Sequence, residues 1–387
     1  MGAYGRKTKM TELDTMEKFK AFLESGKDFK DVAVQGLDLA SFSSRLRGCD
    51  FSGGIFLGCK LENDLVLEII KSGGLHFPEI DDLPYKPFRG CLYTRETLFD
   101  HFDPENPESY GETTDGKIYE HYIKTGKDNP DSILETLARR LHDHSITDAL
   151  TDFLHSFGDR CRVVAVMGGH SLSRACADYK KVAHIAHSLS RSGYLVVTGG
   201  GPGAMEAAHL GVWFSGYERH ELEQGIQILA DAPSYKDKNW LAKAFTVIKT
   251  FPFKKYNKGE GESIGVPTWL YGHEPPTPFA SQIAKYFANS VREEGVLAIA
   301  KGGVIFAPGS AGTIQEVFQD ACQNHYKSFG NASPMVFLNE EYWKRNKPVY
   351  PLLAELAAGK EYADLLSISD NVDSIVKTIK DHRPSPF

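Results

Sequence analysis

The residues best suited to chemistry lie in three glycine-rich stretches: Gly168-Gly169-His170-Ser171, Gly199-Gly200-Gly201-Pro202-Gly203 and Pro308-Gly309-Ser310-Ala311-Gly312-Thr313. Each follows a short apolar run and precedes a segment of helical spacing. Glycine lets a backbone come close to an anion and adopt positive φ. A helix that begins after such a loop points free N–H groups at the same place. Three such loops on one edge predict a site for a phosphorylated small molecule. The common nucleotide fingerprints are missing. There is no GxxxxGK[ST], and the first strand of the fold ends MGGHSLSR rather than GxGxxG. Asp231 lies farther along than the ~20 residues at which a ribose-binding acid is expected, which argues against an NAD dehydrogenase.

Metal chemistry has little support. No HExxH occurs, and His142 and His144 stand two apart, on different faces of a helix, where a solvated surface is expected. Six cysteines (49, 59, 91, 161, 176, 322) form no CxxC pair. They are expected to be reduced thiols rather than disulfides or zinc ligands. No metal and no cofactor is expected.

The elements that must position the three loops follow from periodicity. From residue 162 onward, short apolar strands are expected at 162–167, 194–197, 225–230, 266–270, 303–306 and 334–338. Helices are expected at 279–294, 313–324 and 372–381, and another carries Tyr179, Val182, Ala186 and Leu189 on one face. Strict alternation of strand and helix gives an α/β doubly wound parallel sheet with helices on both faces. Its ligands bind outside the carboxyl ends of the strands, where strand order reverses.

Residues 1–157 have a different rhythm and are expected to form a smaller, irregular region. Leu46, Phe51, Phe56 and Leu61 recur every five residues, each preceded at two by Ser44, Cys49, Gly54 or Cys59. That spacing suits one coil of a pentapeptide repeat, too short to bury its own core; chance spacing in a loop-rich domain is the other reading. Six prolines between residues 76 and 131, among Phe88, Tyr93, Phe99, Phe102, Tyr119 and Tyr122, predict ordered loops wrapped on a surface, or a flap. A helix over 131–157 is expected to bury a stripe of Ile133, Leu134, Leu137 and Leu141.

Composition bounds the function. With 387 residues, 41% hydrophobic and 25% charged, the chain is longer than one typical domain and excludes a coiled coil or wholesale disorder. A net charge of −7 argues against a nucleic-acid polymer as partner, because phosphate-backbone affinity needs clustered Lys and Arg. No apolar run approaches the ~18–20 residues of a membrane span. Without an apolar signal segment near the start, a cytoplasmic protein is expected.

The stretches Thr198-Gly-Gly-Gly-Pro-Gly-Ala-Met-Glu206 and Pro308-Gly-Ser-Ala-Gly-Thr-Ile-Gln-Glu316 resemble the paired motifs GGGxxGxM and PGGxGTxxE of the LONELY GUY (LOG) family. That family has also been labelled as possible lysine decarboxylases, although nothing here suggests a pyridoxal site. The stretch 274–316 is most similar to its larger bacterial nucleotide 5′-monophosphate nucleosidases. The likeness covers about 162–326, less than half of the chain. It implies a Rossmann-like domain over 158–387 and a homo-oligomer, dimer or tetramer. The implied reaction hydrolyses the N-glycosidic bond of a nucleoside 5′-monophosphate to free base and ribose 5-phosphate. In this reading Met205, with Gly168, Gly169, Ser171 and the 199–203 loop, lines the sugar and base, and 308–313 cradles the phosphate.

Breaking that bond passes through an oxocarbenium-like sugar, so a carboxylate is wanted near the anomeric carbon. The same group can activate water. Glu316, one turn into the helix that starts at the phosphate loop, is the principal candidate. Glu206 is the second, and its other reading is a favourable charge at a helix N-terminus. The family draws its cation from an Arg-Lys pair; Arg292 in Ser290-Val291-Arg292-Glu293-Glu294 matches the arginine, and the lysine is absent. Ser310 replaces a family glycine and keeps the turn if its φ is negative. The alternative function is a nucleotide-sensing module that signals through residues 1–157 without turnover.

Overall fold

The computed structural model describes residues 10–158, 161–255 and 261–383. The chain forms two compact units, and it does not divide once near residue 157. The first unit holds the chain up to Leu92 together with Pro130–Thr151; the second holds Tyr93–Asn129 and everything from Asp152.

In the first unit, strands β1 (Thr11–Leu13), β2 (Val32–Gln35), β3 (Ile55–Leu57) and β4 (Leu75–Phe77) form a parallel sheet in that order. Helices α1 (Met16–Glu24), α2 (Ser43–Leu46) and α3 (Asn63–Lys71) make the returns. Leu13, Val34, Phe56 and His76 stand opposite one another, a step of 20–22 residues. The expected five-residue coil is therefore not formed; the unit is a short solenoid with a longer repeat. Leu46, Phe51 and Phe56 do enter one core, with Phe19, Phe29 and Ile69, and Leu61 packs at its edge. Gly54 is small because a Cβ there would lie 2.8 Å from the Phe29 carbonyl oxygen.

The chain then passes to the second unit, where it forms α4 (Arg95–Leu98) and α5 (Thr114–Lys124), and returns as α6 (Ile133–His155). The expected apolar stripe of α6 is turned outward: Ile133, Leu134 and Leu137 are half or more exposed. The buried face instead combines Ala138, Ile146, Ala149, Leu150 and Leu154 with polar groups. Glu135 accepts from Arg139 Nε at 2.7 Å and from the Tyr85 hydroxyl at 3.1 Å. Ser145 bonds the Pro87 carbonyl, and His142 is fully buried beside Asp143. His142 is therefore not on a solvated surface, because it lies on the face of α6 that is buried.

The second unit is built on a seven-stranded parallel sheet. Its strands are β5 (Val163–Met167), β6 (Leu195–Thr198), β7 (Ser263–Gly265), β8 (Gln282–Ile283), β9 (Val304–Phe306), β10 (Met335–Leu338) and β11 (Leu366–Ser369), in the order β11-β10-β9-β5-β6-β7-β8. Every residue of β5 is buried, as a strand covered on both faces requires. Val164, Val166, Val196, Ile305 and Val336 face a layer formed by α7 (Ala177–Ser190), α8 (Ala204–Trp213), α9 (Arg219–Leu229), α10 (Trp240–Thr250) and α14 (Val372–Asp381). On the other face, Phe306 stacks on Phe337, which meets Trp343 edge-on. Helices α11 (Asn289–Ile299), α12 (Ala311–Tyr326) and α13 (Val349–Ala357) pack in series there. This is the expected doubly wound, Rossmann-like α/β fold.

Three expected elements differ. Residues 225–230 are helical because the Glu218–Glu221 capping box starts α9 and Leu222, Ile226 and Leu229 share one buried face. The fourth strand falls at β7 rather than 266–270. Residues 279–294 are not one helix: the Ala284 N–H bonds the Gly265 carbonyl, which extends the chain as β8, and α11 begins only at Asn289.

The proline-rich stretch is tied to this unit. Tyr93 and Ile283 exchange backbone hydrogen bonds of 3.0 and 2.7 Å. Asp115 of α5 is fully buried and accepts from Lys285 Nζ at 2.6 Å and Trp269 Nε1 at 3.1 Å.

Candidate functional site

The order β9-β5-β6 places the topological switch between β5 and β9, where the chain returns to the centre of the sheet after running outward through β6, β7 and β8. The loops after β5, β6 and β9 converge there. The Gly169 N–H bonds the Pro308 carbonyl at 2.9 Å, and the Ala204 N–H bonds the Gly169 carbonyl at 3.2 Å. Two glycines are required by this closeness. Gly203 has φ +69°, and a Cβ on it would lie 2.3 Å from the Gly169 carbonyl oxygen. A Cβ on Gly309 would lie 2.1 Å from Thr313 Oγ1. Gly168 packs against Ala204 and Ala307 in the same way. The Gly200 amide bonds Thr198 Oγ1, and its carbonyl accepts from Thr277. Met205 lies over Gly199 and Gly201. Ser171 is exposed at the loop edge.

Helix α12 begins directly from the third loop. Its N-cap, Ser310, has φ −104°, so a serine sits there without left-handed strain. Ser310, Ala311 and Gly312 are exposed, while Thr313 is buried. The first-turn N–H groups of this 16-residue helix, and its dipole, face the crevice.

Glu316 and Arg292 meet at this point. The Arg292 Nη1 donates to Glu316 Oε1 at 3.5 Å, and the two side chains are 12% and 15% exposed. Arg292 Nε is buried without a partner among the described residues. Its Nη1 also lies 3.7 Å from where a Gly199 Cβ would be, which puts the guanidinium against the second loop. Burial pushes the Glu316 carboxyl up to about 7; Arg292 pulls it down and Glu293 adds to the rise. One turn further along α12, Asp320 is fully buried with Oδ2 unpartnered among the described residues, and burial pushes its carboxyl up to about 8.

Glu206 is not in the crevice. It is fully buried, accepting from Arg174 Nε at 2.8 Å, Arg174 Nη2 at 2.6 Å and the Tyr179 hydroxyl at 2.9 Å. Arg174 in turn stacks on Trp240 and donates to the Ala232 and Trp240 carbonyls. With its oxygens spent on this clamp, Glu206 has no means of reaching a substrate. Of the three expected catalytic residues, the structure brings together Glu316 and Arg292 and removes Glu206.

Sequence reasoning missed Arg174, Tyr179, Asp320 and Glu274. Glu274 lies 3.6 Å from His170 Nδ1 and 3.8 Å from His273 Nε2. Burial raises its carboxyl, and the two histidines pull it back. A charged pair hidden between helices leaves no periodic signal. His209, held between Thr198 Oγ1 and Ser263 Oγ at 2.8 Å each, is pushed down to about 3 by burial and stays neutral.

No family model matches this chain, and no curated protein matches it. Among solved structures it is similar to the molybdenum cofactor binding protein from Rippkaea orientalis, at 16% identity and a TM-score of 0.36 over 57% of this chain and 96% of that one. It is also similar to the Moco carrier protein from Chlamydomonas reinhardtii, at 15% identity and a TM-score of 0.34 over the same shares. At these values no role passes from either protein to this chain. Among the described residues, no helix is long and apolar enough to cross a membrane.

Proposed function

We propose that this chain hydrolyses the N-glycosidic bond of a nucleoside 5′-monophosphate, releasing the free base and ribose 5-phosphate. The observation that carries the reading is the Glu316–Arg292 pair, one helical turn from the loop at 308–313, whose residues 310–312 are exposed. A phosphate held by the first N–H groups of α12 would put the sugar's C1′ within reach of Glu316. As a carboxylate, Glu316 stabilises the positive charge that develops at C1′ and takes a proton from the attacking water. The water oxygen bonds to C1′ as the C1′–N bond breaks, and the departing nitrogen takes up a proton. Arg292, whose Nε has no partner among the described residues, is the cation that holds the sugar or phosphate against the second loop. The similarity to LOG nucleosidases agrees with this, and extends the proposal to a cytoplasmic homo-oligomer.

The test is to incubate the protein with AMP, GMP, CMP and UMP separately and follow free base. Glu316→Gln should lower the rate by ~10²–10⁴-fold, the range expected for a positioned acid–base group. If none of the four nucleotides yields base, the reading fails. If nucleotide binds without release in wild type and variant alike, the sensing module replaces it.

A further inference from the structure

A second concavity of the same unit lies under α5. It is a cavity of about 530 Å³ walled by Tyr110, Tyr119, Tyr235, Trp240, Leu241 and Pro275. That volume is within the ~300–1,000 Å³ typical of small-molecule pockets. Its aromatic walls are fixed in place. Tyr119 packs on Gly272, where a Cβ would lie 2.2 Å from the ring, and Tyr110 donates to the buried Asp115 that anchors α5. Trp240 is held from behind by the Arg174 guanidinium, 4.6 Å from its ring centroid.

The charges around the cavity are already paired. Lys238 bridges to Glu108 at 3.1 Å, Glu120 to Lys124 at 2.6 Å, and Asp237 accepts from the Ser234 amide at 2.8 Å. An ionic ligand would have to draw one of these groups from its partner, whereas a neutral ligand leaves the pairs intact. The hydroxyls of Tyr119 and Tyr235 make no hydrogen bond to other described residues, which leaves polar tips among the rings. Aromatic faces with a few free polar tips select a flat ring that stacks and carries hydrogen-bonding edges.

We propose that this cavity is a binding site for an uncharged planar heteroaromatic ring, the chemistry of a free nucleobase. Tyr235 also meets His170 of the first glycine loop edge-on at 5.4 Å, so the site opens beside the glycine loops without using Glu316 or Arg292.

The probe is adenine, titrated calorimetrically into the full chain. Saturable binding is expected, at least tenfold tighter than for benzoate, which is flat but charged, or cyclohexanol, which is neutral but saturated. Gly111 lines the cavity, and a Cβ there meets nothing within 4 Å. Gly111→Phe should therefore fill the space and weaken adenine at least tenfold. If that variant does not fold, Ile123→Trp, at a 40% exposed position on the same wall, repeats the test. A crystal soaked with adenine should show the ring between Tyr119 and Trp240. No binding, equal binding of all three probes, or density only at the glycine loops would overturn the proposal. Loss of nucleotide hydrolysis has a separate readout, release of base, so the two readings fail separately.

Discussion

Asp320 makes a prediction that does not depend on any substrate. Its carboxyl is buried on α12 with one oxygen unpartnered among the described residues, and burial pushes it up to about 8 from the ordinary value of 3.8 that it regains in the unfolded chain. Between those values the native state holds one more proton than the unfolded state. Stability must then fall as pH rises through this window, by about 1.4 kcal/mol per pH unit. From about pH 6 to about pH 8, allowing for half-titration at the upper end, Asp320 costs about 2 kcal/mol. Glu316, pushed up to about 7, adds about 1.4 kcal/mol over the same interval. The assay is urea unfolding followed by tryptophan fluorescence. All four tryptophans (213, 240, 269, 343) belong to the second unit, so the signal reports that unit alone. Asp320→Asn keeps the shape and removes the ionisation. Its own unpaired amide shifts the stability at every pH alike, so the slope is the readout. The variant should lose roughly two-thirds of the combined loss between about pH 6 and about pH 8. If wild type and variant show the same pH slope, Asp320 is ionised in the native state and the burial argument is wrong.

Three further outcomes follow from the same structure. Glu206→Gln leaves Arg174 buried with a broken ion pair and should cost about 3–5 kcal/mol in urea unfolding, while the rate per folded molecule stays within a few-fold of wild type. Gly203→Ala forces a Cβ against the Gly169 carbonyl at positive φ, and should cost about 1–3 kcal/mol and weaken phosphate binding; unchanged ribose 5-phosphate affinity would count against convergence of the loops on a phosphate. If Glu316 acts as the carboxylate, kcat/KM for the nucleotide substrate should rise with pH through about 7; a profile flat from about pH 5 to about pH 9 would exclude it from the reaction.

The second unit was readable where local pattern and tertiary role coincide. Buried parallel strands such as β5 and β9 are continuous apolar runs, and the glycines between strand and helix mark loops that must pass close to one another. The errors have one physical source, a short apolar run whose period does not decide between strand and helix. Residues 225–230 went to α9 because the capping box at Glu218–Glu221 set the frame, and 282–283 went to β8 because β7 offered a free edge. On α6 the periodicity itself misled. Ile133, Leu134 and Leu137 face outward in its first turns, while Tyr85 and Pro87 give hydrogen-bond partners to Glu135 and Ser145 on the opposite side.

Glu206 and Glu316 show why site residues are harder to read than folds. In sequence they are equivalents: each follows a glycine loop and lies in the first turns of the next helix. What separates them is the arginine each helix meets. Arg174 comes from the loop just before α7, reaches Glu206 with two N–H groups in a dry interior, and spends its remaining donors on backbone carbonyls. Arg292 comes from α11, meets Glu316 at one longer contact, and keeps a buried Nε with no partner among the described residues. A bidentate buried pair fixes geometry and holds its charges in place. A single long contact beside exposed N–H groups leaves both partners able to exchange one another for a ligand. That difference in hydrogen-bond saturation, rather than the position of either glutamate along the chain, makes Glu316 the residue on which a hydrolytic site can be built.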